Sequence, residues 1–230
     1  MRLMIDDWKS QTNNRQLTTV NSQSTNEGRF KLAVSTSQIK ELREKTGVGI
    51  MDCKMALKEC DGDISKAIDY LRKKGIATAK KRSSRTTSQG QVMSYIHAGG
   101  KIGVLVEVNC ETDFTGKNEE FASFVKDLAI QIAATSPAAI DRENIPQDIL
   151  EKEREIYASQ AKESGKPEKV IEKIVEGKLK KFFSEACLLE QPFVKNPDIT
   201  IQDLINEMIA KTGENIVMRR FVRFQLGESD

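Results

Sequence analysis

Residues 102–133 read IGVLVEVNCETDFTGKNEEFASFVKDLAIQIA, and their apolar period changes partway along. Up to Val108 every second position is apolar, so Ile102, Val104, Val106 and Val108 share one side of an extended chain. From Phe121 the spacing becomes three and four. Phe121, Phe124, Val125, Leu128, Ala129, Ile132 and Ala133 form a helical stripe wide enough to cover one face of a sheet. Glu119 and Glu120 follow Asn118 in the first turn, where the positive end of the helix favours acids. A strand followed by a helix that can lie on it points to an α+β fold. Between the two stands Thr112-Asp113-Phe114, a large aromatic set in a polar turn. Either the ring folds back beneath the helix or it is kept outside for a partner, and the local residues leave both open.

Toward the N-terminus, QVMSYIH alternates and AGGK turns, so the strand at Ile102 is the second arm of a β-hairpin. HAGGKIG is glycine-rich, but it joins two strands and opens no helix, so it is not a phosphate cradle. Further upstream, Ser35 and Gln38 match a capping box, with Ile39 and Leu42 behind them and Gly47 and Gly49 as terminators. Cys53, Ala56, Leu57 and Cys60 have helical spacing, Gly62 breaks, and Asp63 caps a helix with Ile64, Ala67, Ile68 and Leu71 on one face. Gly75 reads as its C-terminal stop. Residues 35–76 are therefore expected to form a three-helix bundle, near the ~40-residue floor for independent folding. Modules of this size bind more often than they catalyse. Residues 77–89, basic and rich in Ser and Thr, are expected to be a solvated linker; contact with RNA phosphates is the alternative, although no aromatic platform accompanies the charges. Residues 1–34, polar and rich in Asn, Gln, Ser and Thr, are expected to be a disordered extension.

Toward the C-terminus, IPQDILEKEREIYASQAKESGKP predicts a charged helix stopped by Gly165. The next helix begins at Pro167 and carries Val170, Ile171, Ile174, Val175, Leu179, Phe182 and Phe183 on a stripe. A Pro-bounded tip, EQPFVKNPD, separates it from a helix capped by Thr200 and Asp203, whose face is Ile201, Leu204, Ile205, Met208 and Ile209. These two helices are expected to pair as an antiparallel coiled-coil hairpin over about 167–212. NIVMRRFVRFQLG alternates again and predicts a third strand with Ile216, Met218, Val222 and Phe224 inward, interrupted by Arg220. The expected core, 90–230, is a small three-stranded antiparallel sheet packed with helices.

Composition bounds the chemistry. The 230 residues are 38% hydrophobic and 30% charged, with a net charge of +2. That is ordinary soluble material with enough apolar mass for a core, and no global field for nucleic acid or membrane. Cys53, Cys60, Cys110 and Cys187 make no CxxC pair and His97 is the only histidine, so the closely spaced ligands of a structural zinc are lacking. Buried free thiols are expected, and no cofactor. Glu111 and Asp113 share a loop, but a magnesium or calcium site gathers more oxygen ligands than two. His97 lies beside a turn with nothing near it in sequence to orient its ring, so a general base is not expected and the chain does not read as an enzyme. No apolar run approaches the ~20 residues that span a bilayer. The cytoplasm is the expected compartment, with plastid or mitochondrion as the open alternative.

Several stretches, in order, closely resemble the bacterial elongation factor Ts family. They are ELREKTGVGIMDCKMALKECDGDISKAIDYLRKKG (41–75), GVLVEVNCETDF (103–114), SGKPEKVIEKIVEGKLKKF (164–182), QPFVKNP (191–197) and GENIVMRRFVRFQLGE (213–228). The resemblance spans 35–228 and implies a ubiquitin-associated (UBA-like) three-helix domain, a sheet-and-helix core and a coiled-coil arm. It also implies guanine nucleotide exchange on elongation factor Tu, the GTPase that carries aminoacyl-tRNA to the ribosome, bound in both its GDP-loaded and nucleotide-free forms. By the same resemblance, Arg43, Ile50 and Met51 match positions that grip the GTPase domain, and Thr112, Asp113 and Phe114 match the loop that enters near the nucleotide's magnesium. Thr115 follows that loop where many relatives have an aliphatic residue, and Gln131 stands where some have a histidine that touches the partner. Longer members carry two copies of the core half. This sequence has one, like the short form of the family, and a three-stranded sheet with free edges implies a homodimer. The alternative from another class is an RNA-binding translation protein using the basic linker and the arm. A helix-binding adaptor resting on 35–75 alone would leave TDF and QPFVKNP without a purpose.

Overall fold

The inner layer of the fold is set by the strand and helix of residues 102–133. In the computed structural model, which describes residues 34–163 and 167–228, β1 (Gln89–Ile96) and β2 (Ile102–Cys110) form an antiparallel hairpin. Except for Val34, the extension expected over 1–34 falls outside the described residues, as does the helix stop at Gly165. The last strand of the chain, β5 (Val217–Gln225), pairs antiparallel with β2 and gives the order β1-β2-β5. Val104, Val106 and Val108 are all buried, and α5 (Glu119–Thr135) lays Phe121, Phe124, Val125, Leu128 and Ile132 in the same cluster. The molecule is α+β, with a small antiparallel sheet among helices.

β5 departs from the expected alternation. Val108 faces Met218, whereas Glu107 faces Arg220, so Arg219 is an extra residue in a β-bulge. The bulge reverses which side of the strand points inward. Ile216 and Met218 are buried as expected, but beyond the bulge Phe221 packs on the core while Val222 and Phe224 turn outward. The inward face expected for Val222 and Phe224 is thereby corrected, and an outer sheet face carrying exposed Val92, Ile96, Leu105, Val222 and Phe224 results.

At the N-terminal end, α1 (Thr36–Thr46), α2 (Ile50–Glu59) and α3 (Ile64–Arg82) enclose their own cluster of Leu42, Val48, Cys53, Ala56, Leu57, Ala67 and Leu71. The Ser35–Gln38 capping box is present, and Asp63 accepts from the Lys66 amide to cap α3. Gly75 does not end α3, which runs on to Arg82 and takes up the first part of the expected linker. The reason is packing against α8 (Ile201–Thr212). A Cβ at Gly75 would stand 3.5 Å from the Ala210 Cβ and 3.6 Å from the Asn206 carbonyl oxygen, so the missing side chain lets the two helices close. That contact offsets the ~1 kcal/mol that glycine costs inside a helix.

The same seam holds an ion pair, Arg72 Nη2 to Asp203 Oδ2 at 2.6 Å. The Thr200 amide and hydroxyl also donate to Asp203, at 3.1 and 3.0 Å. Burial pushes the Asp203 carboxyl up, but the bonds from Thr200 and Arg72 outweigh it and hold the group below its ordinary value. A depressed carboxylate contributes stability that is present above the unfolded value, ~3.9, and is lost as pH falls through the folded one. Asp203→Asn should therefore lower Tm at neutral pH, and the gap to wild type should close under acid. An acid-insensitive gap in a pH series of melting curves would contradict this.

The helical arm lies elsewhere than expected. α6 (Gln147–Glu163) packs on α7 (Glu168–Ala186), with Lys178 Nζ 5.5 Å from the centre of the Tyr157 ring and bonded to Gln160. The hairpin expected over 167–212 is thus corrected to α6 with α7. Residues 187–200 instead contain a short turn and a two-stranded hairpin, β3 (Pro192–Phe193) with β4 (Asn196–Thr200). These fold α8 back into the core, where Ile201, Ile205, Met208 and Ile209 join the cluster under the sheet. α8 has a fully apolar face to bury. The α6 face is diluted by Glu153 between Leu150 and Tyr157 and finds its cover on α7.

Candidate partner-binding site

Thr112, Asp113 and Phe114 open a single helical turn, α4 (Asp113–Gly116), between β2 and α5. Thr112 is its N-cap and accepts from the Thr115 amide at 3.4 Å. Asp113 occupies the first helical position and meets Lys117 Nζ at 2.7 Å. The hydrogen bond and charge of Lys117 hold the Asp113 carboxyl below its usual value, so it is a carboxylate at neutral pH. The inner side of the turn is fastened to the sheet. Gln91 Nε2 donates to the Gly116 carbonyl at 2.6 Å, and a Cβ on Gly116 would come within 3.3 Å of the Gly90 carbonyl oxygen. Thr115 and Gly116 are buried against this floor.

With those two turned in, Phe114 has nowhere to go but out. It is 84% exposed. The ring lies outside and not beneath the helix, and Thr115, expected as a neighbouring contact, is turned inward. A phenylalanine left in water forgoes about 1.5–3 kcal/mol of burial.

Behind the turn sits a group that the sequence reading missed. Glu214, in the connection from α8 to β5, accepts the amides of Glu111 and Thr112 at 3.1 and 3.0 Å and the Thr112 hydroxyl at 2.6 Å. Its neighbour Asn215 donates its amide to Glu111 Oε1 at 2.6 Å and its side-chain Nδ2 to the Arg85 carbonyl at 2.9 Å. Nothing local in TGEN announces these bonds, which join segments far apart in sequence.

A second exposed patch lies on the N-terminal helices. Met51 is 73% exposed and Ile50 51%. Arg43 is exposed beside them and lines a shallow groove with Ile39, Lys40 and Ile50. Met55, one turn on from Met51, is also exposed; the i, i+4 spacing was the available signal for it. Gln131, in contrast, is fully buried. Its Oε1 accepts the Val194 amide at 2.9 Å, and its Nε2 donates to Gln191 Oε1 and the Pro192 carbonyl at 3.1 and 3.2 Å. The partner contact raised for Gln131 is corrected. It anchors the β3–β4 hairpin to α5 and does not reach the surface.

The remaining chemistry is quiet. Burial pushes the Cys187 thiol up to about 11 and raises Cys53 and Cys110 as well, so none of these is a thiolate nucleophile. His97 Nδ1 meets the Tyr95 hydroxyl at 3.1 Å on the exposed hairpin. Among the described residues no group of three His, Cys, Asp or Glu could hold a metal ion, and no helix is long and apolar enough to cross a membrane.

Comparison with known proteins identifies relatives of the chain. The family model described as elongation factor TS matches residues 73–228. The elongation factor Ts of Desulfosudis oleivorans is 62% identical over 195 residues, covering 85% of this chain and 98% of the relative. That of Carboxydothermus hydrogenoformans is 60% identical over 195 residues, covering 85% and 90%. That of Geobacter sulfurreducens is 57% identical over 197 residues, covering 86% and 91%.

Proposed function

Because the chain belongs to the elongation factor Ts family, we propose that it is the guanine nucleotide exchange factor for elongation factor Tu in translation elongation. The observation that carries this reading is Phe114, exposed on a turn whose other residues are held from behind. An exchange factor makes no covalent bond. It binds the nucleotide-free GTPase better than the loaded one, and linkage then requires factor and GDP to weaken each other equally. Phe114 enters between helices of the partner, while the Asp113 carboxylate disturbs the magnesium side of the phosphate site. Magnesium bridges the phosphates to a GTPase, so loosening it loosens GDP. The exposed Ile50, Met51 and Arg43 of a UBA-like module provide a second grip, which supplies affinity without acting on the nucleotide. Reciprocity is the test. Titrated against elongation factor Tu, the chain should bind the nucleotide-free form tightly and lose affinity as GDP is added. Equal affinity for loaded and empty partner would overturn the reading.

We also propose a homodimer, built less on the sheet's edges than on its outer face. There Leu105 stands opposite Val222, and Phe224 stands beside Gly103 and Ile96, with one ion pair, Arg220 to Glu107 at 2.6 Å, at the end of the patch. Covering these side chains with a second copy removes an apolar surface that a monomer leaves wet. Leu105→Asp should shift the chain from dimer to monomer in light scattering while its circular dichroism is unchanged. A wild-type chain that is already monomeric would contradict the proposal.

A further inference from the structure

We propose that Glu214 is a positioning residue for exchange, its carboxylate setting the pose in which Thr112–Phe114 is offered to the partner; the inference rests on the exchange reading above. Two consecutive amides, Glu111 and Thr112, and the Thr112 hydroxyl all donate to this one carboxylate, at 3.1, 3.0 and 2.6 Å. Gln91 holds the far side of the turn at Gly116, but without Glu214 its leading side, which carries Phe114, would rest on the Thr112 cap, whose bond from the Thr115 amide is long at 3.4 Å. A single helical turn does not stabilise itself, since ordering its residues costs more than its one or two bonds return. An outside acceptor is what such a turn requires, and a charged acceptor is the strongest kind.

The location of Glu214 adds to the argument. Gly213 closes α8 in the left-handed conformation, φ 74°, so Glu214 and Asn215 leave a rigid helix end in a set direction. Asn215, almost fully buried, reaches the Arg85 carbonyl at 2.9 Å just past the end of α3, and its amide holds Glu111. Arg85 Nη1 lies 3.4 Å from the same Glu111 carboxylate. The dipeptide thus ties the end of α3, the approach to Phe114 and the start of β5 into one joint. Through α3, that joint also connects the Phe114 turn to the module bearing Ile50 and Met51. Burial raises the Glu214 carboxyl, but the bonds from Thr112 outweigh it, so the acceptor stays charged.

The test uses the full chain and its Glu214→Ala, Glu214→Gln and Phe114→Ala variants, measuring release of fluorescent GDP from elongation factor Tu over a concentration series. Glu214→Ala should lower the maximal rate by about 10-fold, the cost of leaving three donors without their charged acceptor. The half-saturating concentration should change little, because the N-terminal patch is untouched. Glu214→Gln, which keeps an acceptor of the same shape, should recover most of the rate. Phe114→Ala added to Glu214→Ala should cost far less than it costs in wild type, since the two act through one contact. A merely structural loss would multiply with it instead. Should Glu214→Ala not fold, Thr112→Val, which removes the hydroxyl donor to Glu214 together with the long cap to the Thr115 amide, carries the test with a loss of several-fold expected. An active wild type with a Glu214→Ala maximal rate equal to it, or with fully multiplicative losses, would overturn this inference alone. An inert wild type would overturn the exchange reading beneath it.

Discussion

Phe114→Ala should slow GDP release at saturating factor by about 10- to 150-fold, with no loss of stability in the free protein. The magnitude is that of a phenylalanine side chain moved from water into a pocket, about 1.5–3 kcal/mol. The free protein leaves Phe114 84% exposed, so truncating the ring opens no cavity and removes no core contact. The loss should appear in the maximal rate and much less in the half-saturating concentration, because the ring acts where GDP is loosened. Met51→Ala, on the other patch, should do the reverse. A Phe114→Ala variant with a wild-type maximal rate would mean that the exposed ring is not the working contact.

The largest stability effect is expected one layer below. Gly90 has φ 140°, and a Cβ there would fall 2.2 Å from the Val108 carbonyl oxygen and 2.7 Å from the Asn109 Cα. Both are backbone atoms of the paired strand, so neither can swing aside. Gly90→Ala must part β1 from β2 or change the backbone conformation, and such strain alone costs about 1–3 kcal/mol before the clash is added. Chemical denaturation should show a loss above about 3 kcal/mol, among the largest from a single methyl group. Gly116 rests on Gly90, so exchange should fall with the fold although Phe114 and Glu214 are unaltered. A variant within about 0.5 kcal/mol of wild type would show that the strand pair is looser than the geometry states.

Much of the fold was legible because it is written in local period. The switch from two to 3.6 across residues 102–133 is the strand and helix that form the inner layer, and the capping boxes at Ser35 and Thr200 mark real helix starts. Where the reading failed, a distant contact decided. Gly75 looks like a stop until α8 comes against it, since the cost of glycine in a helix is small beside a close helix–helix contact. The charged helix before Gly165 shows no partner in its own residues, so the sequence places the arm over 167–212, whereas α7 pairs with α6. One extra residue at Arg219 turned Val222 and Phe224 outward, and a bulge of this kind leaves no mark in an alternating string.

The site divides in the same way. The three residues Thr112, Asp113 and Phe114 stood out as an aromatic in a polar turn, but whether the ring was free could not be read from neighbours alone. It is settled by Gln91 and Gly90 near the start of β1 and by Glu214 in the α8–β5 connection. Gln131 fails as a contact for a related reason. A polar residue on an apolar helix face can be a surface group or a buried anchor, and only the β3–β4 hairpin, which supplies its hydrogen-bond partners, makes it the latter.

Stopped-flow fluorescence measures the release of GDP directly. Elongation factor Tu carrying fluorescent GDP is mixed with the full chain and excess unlabelled GDP. The predicted result is a release rate that rises with chain concentration to a plateau well above the spontaneous rate, and that drops when magnesium is raised. A release rate equal to the spontaneous one at every concentration would contradict the account.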